Sequence, residues 1–350
     1  MRQGNQVIHL LLASSTLVLG QVPSTPAAVY NGTVASDADP ILIRVATGGA
    51  GQSGMLGGKC DEMATKSSHN CHVLTTLALA DAFIKESVDN GTDPFRIAWY
   101  TTDTFYSIQA IGQGLADAAI TYSEVAEQIA IDQGQAIDPS YYLWRDHFLL
   151  VGPTSNPANL SKEDDVQAQF TDLLIAAQNA TRAEPTRFLS RYDKSATNVK
   201  ESQQWISIGQ TPWATAYSTW YHQYIGFPIQ ALTAAIKLGE YTVTDRGTFL
   251  SLDTELTDQI DIYKAATDEL CDPLLNPAHM LVSTQAQNAE QTTAFAEWIT
   301  SQNGQNVILG FEKNGEVLYS AAPSQQELDT FETDGCSTTA QKLRKRRLAR

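Results

Sequence analysis

The chain has 350 residues, 43% of them hydrophobic and 18% charged, which suits one large globular domain or two of ordinary size. Its formal charge of −16 argues against nucleic acid and against anionic membrane surfaces as partners. An anion site in such a protein must work through local donors, because the overall field opposes it.

Arg2 precedes the apolar run VIHLLLASSTLVLG (7–20) and a small, proline-rich stretch. This predicts a signal peptide over 1–20 and a secreted, extracellular product. The run is too short and too polar for a membrane span, and no other stretch qualifies. Four N-x-[ST] sequons, at Asn31, Asn90, Asn159 and Asn179, fit glycosylation on a eukaryotic, fungal-type secretory route. Strand patterns follow at ILIRVAT (41–47), FRIAWY (95–100), ADAAITY (116–122), YYLWRDHFLLVG (141–152) and TRFLSRY (186–192). Between and after them lie helical patterns at 79–87, 124–134, 164–180 and 289–304. The alternation predicts an α/β architecture with mainly parallel sheets. Tyr217, Trp220, Tyr221 and Tyr224 share one face of a predicted helix over 213–225, a stripe that reads as core packing. Residues 321–350 have few apolar positions and no period, so they read as a disordered tail ending in the basic KLRKRRLAR.

Two stretches carry chemistry. The glycine-rich turn at 48–58 resembles a phosphate loop but lacks its first Gly and its final Ser or Thr, so no nucleotide site follows. It can still present the Ser53 hydroxyl and the N–H groups of Gly54 and Met55 to an anion, or simply cap a helix with Ser53. In RFLSRYDKSATNVK (187–200), Arg191 offers a guanidinium fork that Asp193 can buttress, with Ser195 and Thr197 at a helix start and Asn198 and Glu201 spaced as a cap pair. A salt bridge beside a helix cap is the plainer reading of the same residues. Nothing resembles a G-x-S-x-G elbow, His147, His222 and His279 are scattered, and no C-x-x-C occurs. The expectation is a non-enzyme without a bound metal or cofactor.

RYDKSAT resembles the Arg-Gly-Asp-x-Ser-Gly-Thr stretch of bacterial tungstate-binding proteins, and YTVTDRGTFL (241–250) their Tyr-Thr-Leu-Thr-Asp-Arg-Gly-Thr-Tyr-Leu signature. DHFLLVGP (146–153) matches the family's crossing strand and AEWITSQNGQNVI (296–308) its C-terminal helix. The resemblance runs from about 41 to 320 and implies a two-lobed type II periplasmic-binding-protein fold closing on an oxyanion. Lobe 1 would comprise 41–149 and 244–320, and lobe 2 would comprise 150–243. Carried over position by position, the ligand-binding residues are Ser53, Gly54, Thr104, Arg191, Ser195 and Thr197. The family's Thr-Thr-Ser before the first loop is Thr47-Gly48-Gly49 here, Ala196 replaces a Gly, Asn198 a His, and Phe105-Tyr106 a Gly-Lys pair. The implied partner is a small inorganic oxyanion, tungstate or molybdate first and phosphate or sulfate next, bound by a monomer whose transport partner is unknown. A secreted enzyme or surface-interaction protein that keeps the fold is the alternative.

Residues 58–77, GKCDEMATKSSHNCHVLTTL, interrupt the family register between SGMLG and ALADAFI, and removing them restores it. They are read as a retained intron translated in frame, with a surface insertion as the alternative. Without them, Cys271 and Cys336 remain to pair in an oxidising compartment; with Cys60 and Cys71, three pairings are open.

Overall fold

The structure is a computed structural model that describes residues 23–57, 78–179, 181, 184–334 and 336. The expected signal peptide at 1–20, the interrupting segment 58–77 and the basic tail from 342 onward lie outside the described residues.

β1 (Ala28–Tyr30) and β2 (Ile41–Thr47) lead to a single helical turn, α1 (Gly49–Gln52), and then to α2 (Leu79–Asp89). Next come β3 (Arg96–Thr101), α3 (Thr104–Gly112), β4 (Ala118–Thr121) and α4 (Glu124–Asp132). β2 runs parallel to both β3 and β4, as crossover helices require, while β1 is antiparallel to β3. Ile43, Val45, Ile97 and Ile120 from these strands pack with Leu79 and Phe83 of α2 in one core.

β5 (Tyr141–Pro153) is the long strand of the molecule, and its two halves have different partners. After it come α5 (Val166–Gln178), β6 (Phe188–Ser190), α6 (Ala196–Ser207), β7 (Tyr221–Gln223), α7 (Pro228–Leu238) and β8 (Thr242–Asp245). The short α8 (Arg246–Phe249) and α9 (Thr254–Thr257) precede β9 (Ile260–Ala265) and β10 (Leu275–Val282). The first half of β5 pairs antiparallel with β10, whereas residues 148–153 pair antiparallel with β8 and β9. Leu143 and Trp144 accordingly sit in the first core, and Phe148 and Leu150 in a second core with Phe170, Trp205, Tyr221 and Tyr241. This strand crosses from lobe to lobe, and the cleft opens where it crosses.

The chain closes with α10 (Ala289–Thr300), α11 (Gln302–Leu309), the small pair β11 (Glu312–Lys313) and β12 (Glu316–Val317), then β13 (Ser320–Ala321) and α12 (Gln325–Asp334). The C-terminal helix expected over 296–308 is two helices, broken by the extended backbone of Ser301. Gly304 permits the bend, because a Cβ there would lie 2.4 Å from the Trp298 carbonyl oxygen.

Four sequence expectations need correction. The return to lobe 1 comes after Ala265 rather than at 244, since β8 and β9 share the second half of β5 and Ile260 packs with Leu149 and Val151. Residues 321–334 and 336 are not a disordered tail: β13 joins β5, Glu327 pairs with Arg145 at 2.6 Å, and Cys336 is disulfide-bonded to Cys271. No helix covers 213–225; a 3-10 turn at Pro212–Ala214 gives way to β7, where Tyr221 is buried while Tyr217 is 97% exposed. Finally, α6 is capped by Ser195, whose Oγ accepts the Asn198 N–H at 3.3 Å, so Asn198 and Glu201 do not form the cap pair.

The flanks of the insertion are informative. Leu79 and Ala80 donate their N–H groups to the carbonyls of Met55 and Leu56 at 3.0 and 2.9 Å. If the positions 58–77 are discounted, both bonds have the i to i+4 spacing of one continuous α-helix.

Candidate functional site

A cleft of about 770 Å³ lies between the lobes, a size usual for small-molecule sites. Lobe 1 contributes Gly48, Gly49, Gln52 and residues 101–104; lobe 2 contributes 191–197 and 225–228. The floor is made where β5 crosses, by Asp146 and Phe148, with Asp245, Asn276, Tyr122 and Tyr319 beside them.

Arg191 follows β6, and only 9% of its surface is exposed. Its Nη2 donates to Asp193 Oδ2, and its Nη1 reaches Thr197 Oγ1 at 3.5 Å. Its Nε is buried without a hydrogen-bond partner among the described residues. A charged donor left so is costly unless something else satisfies it. Asp193 Oδ1 takes the Ser195 hydroxyl at 2.6 Å and the Ser195 N–H at 3.1 Å. The carboxylate thus occupies donors that an anion would also want. Thr197 Oγ1 accepts from Arg191 and has no acceptor among the described residues, which leaves its own proton to donate. The loop is held tightly: Tyr192 and Lys194 adopt φ of 47° and 64°, left-handed values that cost side-chain-bearing residues about 1–2 kcal/mol each. Tyr192 stands where the resemblance has glycine.

On the facing wall, Thr104 begins α3 and is buried. Asp103 caps that helix, accepting the Tyr106 N–H at 3.0 Å. Burial first, and the nearby Asp193 carboxylate, push Asp103 up to about 6, with Arg191 opposing. Lys194 reaches across the cleft, its Nζ 5.3 Å from the centre of the Phe105 ring.

Of the six expected ligand residues, Thr104, Arg191, Ser195 and Thr197 line the cleft together. Ser53 and Gly54 do not. Ser53 ends α1 rather than opening a helix, and its hydroxyl donates to the Ala50 carbonyl at 3.0 Å while accepting from Tyr319 at 3.1 Å. Gly48 and Gly49 take that wall instead. Thr47, the hydroxyl that remains there, is committed to the Ile120 carbonyl at 3.0 Å. The acidic floor was not anticipated, although Asp146 and Asp245 stand inside the very strings, DHFLLVGP and TDRGT, that carry the resemblance. Among the described residues the histidines pair elsewhere: His147, His222 and His279 pair with Asp268, Glu240 and Glu127, and none of the three lines the cleft. Among the described residues no cluster of His, Cys, Asp or Glu could hold a metal ion, and no helix is long and apolar enough to cross a membrane.

Comparison with known proteins agrees with this architecture. A crystal structure of a periplasmic protein suspected of metal binding is 51% identical, superposes with a TM-score of 0.74, and covers 85% of this chain and all of that one. The tungstate-binding protein TupA of Peptoclostridium acidaminophilum is 28% identical over 248 residues, 66% of this chain and 81% of its own. The structure of TupA from Desulfovibrio alaskensis G20 shares only 18% identity but has a TM-score of 0.61 over 82% of this chain and all of that one, which shows the common fold. A model of the PBP superfamily domain matches residues 68–303, more than half of the sequence. The fold is that of the type II periplasmic binding proteins, and the chain belongs to the PBP superfamily.

Proposed function

We propose that the protein is a solute-binding protein, not an enzyme, that captures a small oxyanion between Arg191, Ser195 and Thr197 on one lobe and the Gly48–Thr104 wall on the other. The observation that carries this reading is Arg191, nine-tenths buried in the cleft with an unsatisfied Nε and with Thr197 free to donate beside it. A fully ionised anion wants donors only, and a guanidinium with adjacent hydroxyls supplies them. The relatedness to tungstate-binding proteins puts tungstate and molybdate first. Phosphate is the second reading, because Asp103 and Asp146 give the cleft carboxyl groups that could meet a protonated ligand.

The leader-like start supports an exported protein, and Asn90, Asn159 and Asn179 are exposed, as glycan acceptors on a eukaryotic route must be.

Isothermal titration with tungstate, molybdate, phosphate and sulfate tests the reading. One of the first three should bind, and Arg191→Ala should weaken it by about 10- to 100-fold, as loss of a charged hydrogen-bond donor does. Retention of full affinity by Arg191→Ala would sink the assignment of the cradle.

A further inference from the structure

The floor of the cleft is acidic, which is unexpected in a site for an anion. Its walls carry four aspartates, Asp103, Asp146, Asp193 and Asp245, against two cations, Arg191 and Lys194. Asp193 is neutralised by Arg191, and Asp245 is held by its cap bonds to the Thr248 N–H at 2.8 Å and hydroxyl at 2.6 Å. Asp146 has weaker compensation. Its Oδ2 accepts from Asn276 Nδ2 at 2.8 Å and its Oδ1 from the His147 N–H at 2.7 Å, yet it is only 5% exposed. Asn276 faces it across the β5–β10 ladder, and Asp245 lies opposite Phe148, its neighbour on the same face of β5.

We propose that Asp146 is a ligand-binding residue that meets the captured oxyanion as a neutral carboxyl, donating its O–H to an anion oxygen, so that capture is linked to a proton on this side chain. The inference rests on the oxyanion reading above. An ionised Asp146 beside a dianion would add a like charge in a poorly solvated place. The neutral acid removes that repulsion and supplies a donor.

The surroundings favour the neutral form. Burial first, and then the charge of Asp245, push Asp146 up to about 8, against the pull of Asn276, the His147 N–H and Arg246. Asp245 faces it from the end of β8, Arg246 from α8, Asn276 from β10, and Tyr122 and Tyr319 from the rest of the floor. Its chain neighbours Arg145 and His147 turn away to Glu327 and Asp268. The sign follows. Below about pH 8 the empty site already holds the proton, and above it capture of a dianion must be accompanied by uptake of a proton from the solvent, so affinity falls as pH rises.

The test is calorimetric titration of the whole protein with sodium tungstate from about pH 6.5 to 9.5, in two buffers of different ionisation enthalpy. Tungstate has no proton to exchange over this range; phosphate, a dianion above about pH 8, is the second probe. The wild type should bind nearly evenly up to about pH 7.5, then weaken with a slope that approaches tenfold per pH unit above about pH 9, where uptake nears one proton per anion. Asp146→Asn, permanently neutral, should bind without the fall and without proton uptake. A wild-type affinity that stays flat to pH 9.5, or the same slope in Asp146→Asn, would overturn the proposal while leaving the oxyanion reading in place. If Asp146→Asn does not fold, the wild-type proton count decides by itself, and a count of zero at pH 9 overturns the role. Failure of the wild type to bind either anion at any pH would remove the oxyanion reading and this inference together.

Discussion

Gly48 and Gly49 are neighbours in the cleft wall, yet a side chain would meet different surroundings at each. A Cβ on Gly48 would lie 2.6 Å from the Thr102 carbonyl oxygen, a backbone atom that cannot step aside. At Gly49 the nearest atom is the Tyr122 hydroxyl at 3.9 Å, an ordinary contact. The two glycines where the resemblance has hydroxyl residues are therefore not equivalent. Gly48 is required by the close approach of two loops, whereas Gly49 leaves room for a donor. Gly49→Ser should fold normally and raise anion affinity roughly threefold to tenfold, the worth of one added hydrogen bond. Gly48→Ser should lower stability by about 1–3 kcal/mol. Thermal melts and titration of both variants check the contrast; equal tolerance at the two positions would contradict it.

At the scale of elements, β5 explains what the sequence made legible. Its thirteen residues are buried almost throughout, and the aromatic and aliphatic runs YYLW and FLLV on either side of residues 145–147, ended by Pro153, read as a strand whatever they pair with. Which half pairs with which partners depends on residues a hundred positions away, so the lobe boundary near 265 could not be read locally. The aromatic spacing at 217–224 misleads for a related reason. Trp220 and Tyr221 pack on Trp205 from a short strand beside β6, and tertiary packing overrides a helical period. α12 and Cys336 were illegible because they gain their place from Arg145 and from a disulfide to Cys271, not from an apolar pattern of their own. In the site, the Arg191 loop was readable because its donors are local. The acidic floor was not, because β5, β8 and β10 bring Asp146, Asp245 and Asn276 together only in the folded sheet.

The junction of residues 55–57 with 78–80 makes its own prediction at this scale. Two backbone hydrogen bonds already tie Met55 and Leu56 to the first residues of α2 across it, so the start of α2 is anchored without what lies between. A variant lacking 58–77 should fold, melt within a few degrees of the full chain or higher, and bind the same anion. A transcript that retains the segment after splicing would contradict the intron reading; loss of folding on deletion would contradict the junction itself.

For the molecule as a whole, a chain of net charge −16 that captures an anion must rely on short-range donors rather than on steering by its field. The two lobes supply them from separate cores joined by β5 and by the return of the chain after Ala265, so Arg191 and Thr197 meet Gly49 and Thr104 across the cleft where β5 crosses. Salt should consequently alter affinity little, since buried pairs are weakly screened. The most direct test is a crystal structure grown with sodium tungstate, with the metal located by its anomalous signal. The predicted result is one tungstate in the cleft with oxygens within hydrogen-bond distance of Arg191 and Thr197 and of the Gly48–Thr104 wall. Anomalous density elsewhere, with the cleft empty at saturating tungstate, would contradict the account.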